Sequence, residues 1–492
     1  MTKWSKNPSI YEINTWVWLA ELSKKVGRHV DLSSVAASEW DEITRGGFDA
    51  VWLMGVWERS PAGIAIANQN AGLLQDFRRA LPDFHPEDNV GSPYCVRDYV
   101  VDMHLGGRQA LAVARRELAK RNVRLILDFV PNHVAPDHSW VREHPEYFVQ
   151  GLRQDVQNDP HSFIQIGEIV FACGRDPYFP AWPDVLQLNA FHPGLRDAVG
   201  KTLLDIAGQC DGVRCDMAML LLNTVFERTW SVRAGTKPPD EYWEEVIPAL
   251  KRKYPDFRFL AEAYWDLEWE LQQRGFDFCY DKRLYDRLEH DNAESVRLHL
   301  CAGIAYQSKL LRFIENHDEP RAASVFGPDK GRAAAVATFT LPGAKMFHEG
   351  QIEGSKVKLP VFLGRRPDEP LNSEVQSFYE KLLTAIDSDV FRNGNWDLCE
   401  RSGWPDNASY QNIVAWCWSD QEPFYLIVVN LSDTTSQARV RVGWQKCAGQ
   451  TVRLTDKLSG AVYDRSCDEM LSPGLYIDLP AWNYNLFECC RV

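Results

Sequence analysis

The chain has 492 residues, enough for about three average domains or for one large βα barrel with attachments. Hydrophobic residues make up 45% and charged residues 25%, the balance of an ordinary globular protein, which excludes disordered, collagen-like and coiled-coil classes. The 54 Lys and Arg stand against 68 Asp and Glu, a formal net charge of −14, so nucleic acid and anionic membrane surfaces are disfavoured as partners.

The first residues, MTKWSKNPSIYEIN, carry no apolar signal region, and nowhere do about 18 apolar residues run together. A cytoplasmic protein is expected, with no membrane partner. The 12 cysteines include no C-x-x-C pair, which predicts reduced, mostly buried thiols rather than a disulfide framework or a zinc site. The 18 Trp are many for this length; they serve either as flat platforms for sugars or as plain aromatic core.

Eight short β-rich runs follow one another with helical stretches between them, the sequence form of a parallel βα architecture. They are SIYEINTW (9–16), FDAVWLMGV (48–56), VRLILDFV (123–130), GVRCDMAM (212–219), FRFLAEAYW (257–265), FDFCYDKRL (276–284), KLLRFIENH (309–317) and AKMFHEG (344–350). Between the third and fourth, Leu195, Val199, Leu203 and Ile206 form an apolar stripe at helical spacing, which predicts a helix packed outside the barrel. The interval 133–183 is rich in His, Pro, Asp and aromatic residues and far exceeds an ordinary βα loop, so it reads as a small inserted domain. After residue 388 short β-propensity runs split by turn residues predict an all-β sandwich over 389–492. The expected fold is therefore an α/β (β/α)8 barrel over 1–132 and 184–388, an insert after strand three, and a C-terminal β-sandwich.

Polar residues gather at the C-terminal ends of these runs, where a parallel barrel carries its active site. The third run leads to Asn132 and His133, the fourth holds Arg214 and Asp216, the fifth Glu262, and the seventh leads to His317 and Asp318. Singly, each has an ordinary explanation as a turn, a cap or a salt bridge. Jointly, three carboxylates and two histidines on one rim are not a folding requirement, because burying unpaired charge costs several kcal/mol. Two carboxylates across a glycosidic bond suffice to cleave it, one as nucleophile or base and the other as general acid. Asp216 and Glu262 lie on neighbouring strands about 4.8 Å apart, which matches the roughly 5 to 5.5 Å carboxyl separation of a retaining mechanism. Arg214, on the same strand face, is expected to keep Asp216 ionised.

DFVPNH, GVRCD, AEAYW and ENHD occur in the order of the short motifs of the α-amylase family, glycoside hydrolase family 13, and the chain resembles that family along essentially its whole length. DVLQLN (184–189), SPYCVRDYVVD (92–102) and LPGAKMFHEGQIEG (341–354) resemble further family segments. The resemblance implies Asp216 as nucleophile, Glu262 as acid/base and Asp318 as the carboxylate that holds the distorted sugar's hydroxyls. It further implies that His133 and His317 bond that sugar, that Arg214 supports Asp216, and that Tyr94 stacks beneath the ring, with Asp98 and Tyr99 structural.

The chain departs from the family at Met219 and Leu220, where many members place Lys and His against the leaving group, and at Cys95, where many have Asp. Met219 and Leu220 are expected either to offer the leaving group only apolar contact, making long starch a poor substrate, or to pack into the barrel wall while other loops hold the polymer. Asn132 matches an asparagine that binds calcium in many amylases, with Asp137, Asp155 and Asp159 as carboxylates to weigh; no cofactor is required for the chemistry, and a structural calcium is left open. No His-x-His occurs, against a metal-dependent barrel hydrolase. The expected activity is a retaining α-glycosidase acting on small α-linked carbohydrates. A transglycosylase or isomerase, and an inactive amylase-like carbohydrate-binding protein, are the alternatives; oligomeric state is not legible.

Overall fold

In the computed structural model, which describes residues 3–419 and 423–492, eight parallel strands close into a barrel. They are β1 (Ser9–Asn14), β2 (Ala50–Met54), β3 (Arg124–Phe129), β4 (Gly212–Cys215), β5 (Arg258–Ala261), β6 (Phe278–Tyr280), β7 (Leu310–Arg312) and β8 (Ala344–His348). Each lies inside one of the eight predicted runs. Nearly every strand residue is buried, as a sheet covered on one side by helices and filled on the other by side chains requires. Register aligns the site: Arg214 on β4 sits opposite Asp128 on β3 and Leu260 on β5, so the residues that follow the strands emerge together.

The helix Pro193–Gln209 starts on a proline, whose fixed φ suits the first turn. Its stripe of Leu195, Val199, Leu203 and Ile206 is buried against the barrel, as the spacing predicts.

Between β3 and β4 the chain builds a separate antiparallel sheet from His133–Val134, Gln150–Gly151, Phe163–Ile166, Ile169–Gly174 and Trp182–Gln187. The returning strand runs past residue 183 and pairs Leu186 with Val134 and Gln187 with His133, so it holds the site residue His133 from the far side.

The C-terminal residues form a six-stranded and a three-stranded antiparallel sheet. Strand Ile413–Ser419 shows why they pack as they do. Ala415 and Cys417 face the second sheet, whereas Trp416 and Trp418 point the other way into the barrel core, the two-residue alternation of a strand buried on both sides. Both indoles donate to the carbonyl of Thr340, Trp418 at 2.7 Å and Trp416 at 3.2 Å, and fasten the sandwich to the barrel.

One expectation changes in part: ten cysteines are free and eight of those buried, as expected, but one pair is joined. Cys447 and Cys467 form a disulfide, with Cα atoms 5.8 Å apart; twenty residues separate them, and the pairing arises because the sandwich folds a turn and a short helix together, which no local motif announces. Of the two uses open to the Trp residues, six take that of core: Trp40, Trp52, Trp57, Trp243, Trp416 and Trp418 are fully buried. Among the described residues no helix is long and apolar enough to cross a membrane.

Candidate active site

The strand ends deliver the candidate residues to one mouth. Asp216 follows β4 directly and Glu262 follows β5, and both meet Arg214, which is wholly buried beneath them. Arg214 Nη1 donates to Asp216 Oδ1 at 2.6 Å, and Nη2 lies 2.7 Å from Glu262 Oε2 as an ion pair. One guanidinium thus carries both carboxylates. The backbone N–H of Met217, in the left-handed region at φ 43°, donates to Glu262 Oε2 at 2.6 Å, and the Tyr264 hydroxyl donates to Oε1 at 2.9 Å.

Burial pushes Glu262 up to about 7 against the pull of Arg214, with Asp216 adding to the rise. A carboxyl tuned to that range can both give and take a proton near neutrality. Burial also raises Asp216 and outweighs Arg214, which pulls the other way; the expectation that Arg214 holds this carboxyl down omits the cost of desolvation.

Asp318 projects from the end of β7 with its side chain partly open to solvent. Its Oδ2 lies 2.9 Å from His317 Nε2, which also meets the Tyr94 hydroxyl at 2.6 Å. His317 Nδ1 bonds Glu12 Oε1. Burial opposes a charge on His317, but Asp318 and Glu12 hold the imidazolium, raising it to about 10. Burial likewise opposes ionisation of Asp318, and that imidazolium overrides it, holding Asp318 below the usual carboxylate range.

His133 Nε2 is 4.0 Å from Asp216 Oδ2, and burial lowers His133 to about 3, so it presents a neutral ring. The guanidinium of Arg214 lies 5.0 Å from the centre of the Tyr94 ring. Tyr99 is clamped to the backbone of Val130, donating to its carbonyl and accepting from its N–H, and Asp98 pairs in the short strand beside it. Cys95 is buried with its thiol on the Asp184 carbonyl, away from the mouth.

The side chains of Met219 and Leu220 do not reach the mouth. They are 0% and 2% exposed because the chain turns into a 3-10 helix after Met217 and points them into the barrel wall. Of the two expectations for this pair, packing into the wall is the one met, and the placing of both side chains against the leaving group is corrected.

Asn132 does not suit calcium. Its amide is engaged in both directions with Gln187, Nδ2 donating to Oε1 at 3.2 Å and Oδ1 accepting from Nε2 at 2.9 Å. Asp137 accepts from Ser60 at 2.5 Å, and Asp155 is bound to Arg233. These donors are committed elsewhere and do not fit the ion.

Sequence reasoning gave no role to Glu12, Asp128 or Tyr264. Glu12 and Asp128 sit inside apolar strands; Asp128 accepts from Trp52 Nε1 at 3.1 Å and from the Gly55 N–H at 2.6 Å. A charged residue within a wholly buried strand was the available signal for both.

No family model matches the chain. It is similar to the α-amylase MalA of Haloarcula japonica, 23% identical over 460 residues, which are 89% of this chain and 58% of that protein. It is also similar to the α-1,4-glucan:maltose-1-phosphate maltosyltransferase of Picrophilus torridus, 24% identical over 204 residues, which are 39% of this chain and 27% of that protein. The chain thus spans little more than half the length of the first curated relatives it matches. Among solved structures, the maltogenic α-amylase AmyB of Thermotoga neapolitana shares the fold with a TM-score of 0.68 at 18% identity, over 99% of each chain.

Proposed function

We infer, from an assignment to the α-amylase family that the relatives and structural neighbours support, that this chain is a retaining α-glycosidase acting on the α-glucosidic bonds of oligosaccharides or small glucosides. The observation that carries the reading is the shared guanidinium: Arg214 holds Asp216 and Glu262 together, and Glu262 is raised to about 7. Such closeness favours double displacement, whose carboxyls stand about 5 to 5.5 Å apart, over the wider inverting gap.

In the first step a carboxylate oxygen of Asp216 attacks the anomeric carbon as the glycosidic bond breaks, and Glu262 gives its proton to the departing oxygen. In the second step Glu262 takes a proton from water, whose oxygen attacks the anomeric carbon and releases Asp216. Asp318, locked as an anion by His317, accepts hydrogen bonds from the ring hydroxyls of the distorted sugar. His133 is neutral and offers its ring nitrogen to the same sugar. No step runs through a metal ion.

Transfer to a sugar hydroxyl in place of water is the second reading, favoured by the similarity to a maltosyltransferase. The test is direct. Asp216→Ala and Glu262→Gln should each abolish turnover of α-linked disaccharides without loss of fold, and NMR of the first product should show the α-anomer. On an aryl α-glucoside, whose leaving group needs little protonation, Glu262→Gln should keep more of its first-step rate. An early β-anomer, or losses of only a few-fold in both variants, would refute the mechanism.

A further inference from the structure

A cavity of about 1080 Å³ lies on the flank of the barrel, outside β1. The helices Thr15–Val26, Ala37–Thr44 and Ser373–Ile386 and the loop that follows β8 enclose it, and Asp216, Glu262 and Asp318 lie outside it. Successive side chains of a strand point to opposite faces. On β1, Glu12 turns inward to His317, and Tyr11 turns outward into this cavity.

Tyr11 is a polar group without a partner. It is 8% exposed, its ring stacks on Phe48 at 4.9 Å, and among the described residues its hydroxyl makes no hydrogen bond. The surface it keeps opens on the cavity it lines. A buried hydroxyl left unbonded is destabilising, and a ligand that bonds it removes that cost. Burial first, then the charges of Glu353 and Glu349, hold its proton well above the usual tyrosine range, so the phenol stays neutral and its oxygen is free to accept.

The charge around Tyr11 is one-sided. Nine carboxylates line the cavity against three cations, and each of those cations is already paired. Lys25 meets Glu39 at 2.6 Å, Arg45 meets Glu42, and Arg366 meets Glu21 and Glu349 at 2.8 Å each. Glu353 and Glu380, both exposed, have no cation among the described residues. Trp18, Leu22 and Ile43 add apolar wall. The cavity thus joins unbalanced negative charge, apolar surface and one buried acceptor.

We propose that this cavity binds a small organic polycation, an aliphatic di- or polyamine, with one ammonium donating to the Tyr11 oxygen, the methylene chain on Trp18, Leu22 and Ile43, and the charge balanced by Glu353 and Glu380. Such chains bury their methylene groups on apolar surface while keeping their charged ends beside carboxylates. The volume stands at the top of the roughly 300–1,000 Å³ of small-molecule pockets, which leaves room for a chain. The excess of carboxylates repels phosphate and favours a cation over a neutral sugar. Among the described residues no group of His, Cys, Asp and Glu is arranged to hold a metal ion.

The experiment is isothermal titration calorimetry of the full chain with 1,6-diaminohexane, and with 1,6-hexanediol as its uncharged counterpart, at physiological ionic strength. It needs no turnover, so its result is independent of the glycosidase reading. The diamine should bind wild type at one site and the diol should not bind. Glu353→Gln combined with Glu380→Gln should weaken the diamine at least tenfold. Tyr11→Phe keeps the ring on Phe48 and removes only the hydroxyl; it should weaken binding at least threefold while the melting temperature holds or rises. Asp433→Asn combined with Glu469→Gln removes two exposed carboxylates of the sandwich and should bind like wild type. No binding by wild type, equal binding of the diol, or wild-type affinity in Tyr11→Phe would overturn the proposal. Equal weakening in the two carboxylate pairs would also overturn it, by showing only general attraction to an acidic surface. If Tyr11→Phe fails to fold, the two carboxylate pairs, all at exposed positions, decide between these outcomes.

Discussion

Replacing Glu12 by Gln removes a buried charge that no substrate touches while keeping the side chain's size. Glu12 bonds His317 Nδ1, and His317 in turn faces Asp318, so the imidazolium rests on two counter-charges and is raised to about 10. A hydrogen bond to a charged group is worth about 1.5–3 kcal/mol, and each ~1.4 kcal/mol is tenfold in proton affinity. Glu12→Gln should therefore weaken proton binding at His317 by about ten- to a hundredfold. Because the folded-state value is raised, the stability that this proton contributes is fully present below the ordinary histidine value of about 6.5 and lost as pH rises through about 10. In the variant the contribution is smaller and vanishes at lower pH. NMR titration of the His317 ring, read beside melting temperature against pH, measures both. A titration midpoint within threefold of wild type in proton affinity would refute the argument that Glu12 sustains the cation.

Other outcomes follow from the same geometry. Glu262 must be protonated for the first step and sits near 7, so kcat/KM should fall as pH rises above that value, and it should fall on the acid side as Asp216, raised by burial, takes up its proton; activity still climbing at pH 9 would contradict the assignment. Tyr264→Phe removes a donor that favours the ionised form of Glu262, so the alkaline limb should move up by as much as about one pH unit, and a downward move would exclude that role. Trp418→Ala empties a fully buried site between sandwich and barrel and should lower unfolding free energy by about 3–5 kcal/mol in urea titration; a loss below 1 kcal/mol would show that the indole does not fasten the sandwich to the barrel.

Much of this molecule is written in local order. The eight runs of strand-forming residues each contain their barrel strand, because a parallel strand buried on both faces must be a continuous apolar segment. Asp216, Glu262 and Asp318 are legible for the same reason: polar residues that end such a segment can only emerge at the rim. The stripe of Leu195, Val199, Leu203 and Ile206 likewise declares its helix by spacing alone. What depends on contacts between distant segments is absent from the string. Glu12 meets His317 across 305 residues, Asn132 and Gln187 exchange hydrogen bonds that displace a cation reading, and Cys447 finds Cys467 only once the sandwich folds. Met219 and Leu220 stand three and four residues beyond Asp216, where the family resemblance put them on the substrate side, yet after a left-handed residue at Met217 both are buried in the wall. Periodicity shows which residues share a face of one element; which faces meet, and which charge loses its water, is decided by the packing of all of them together.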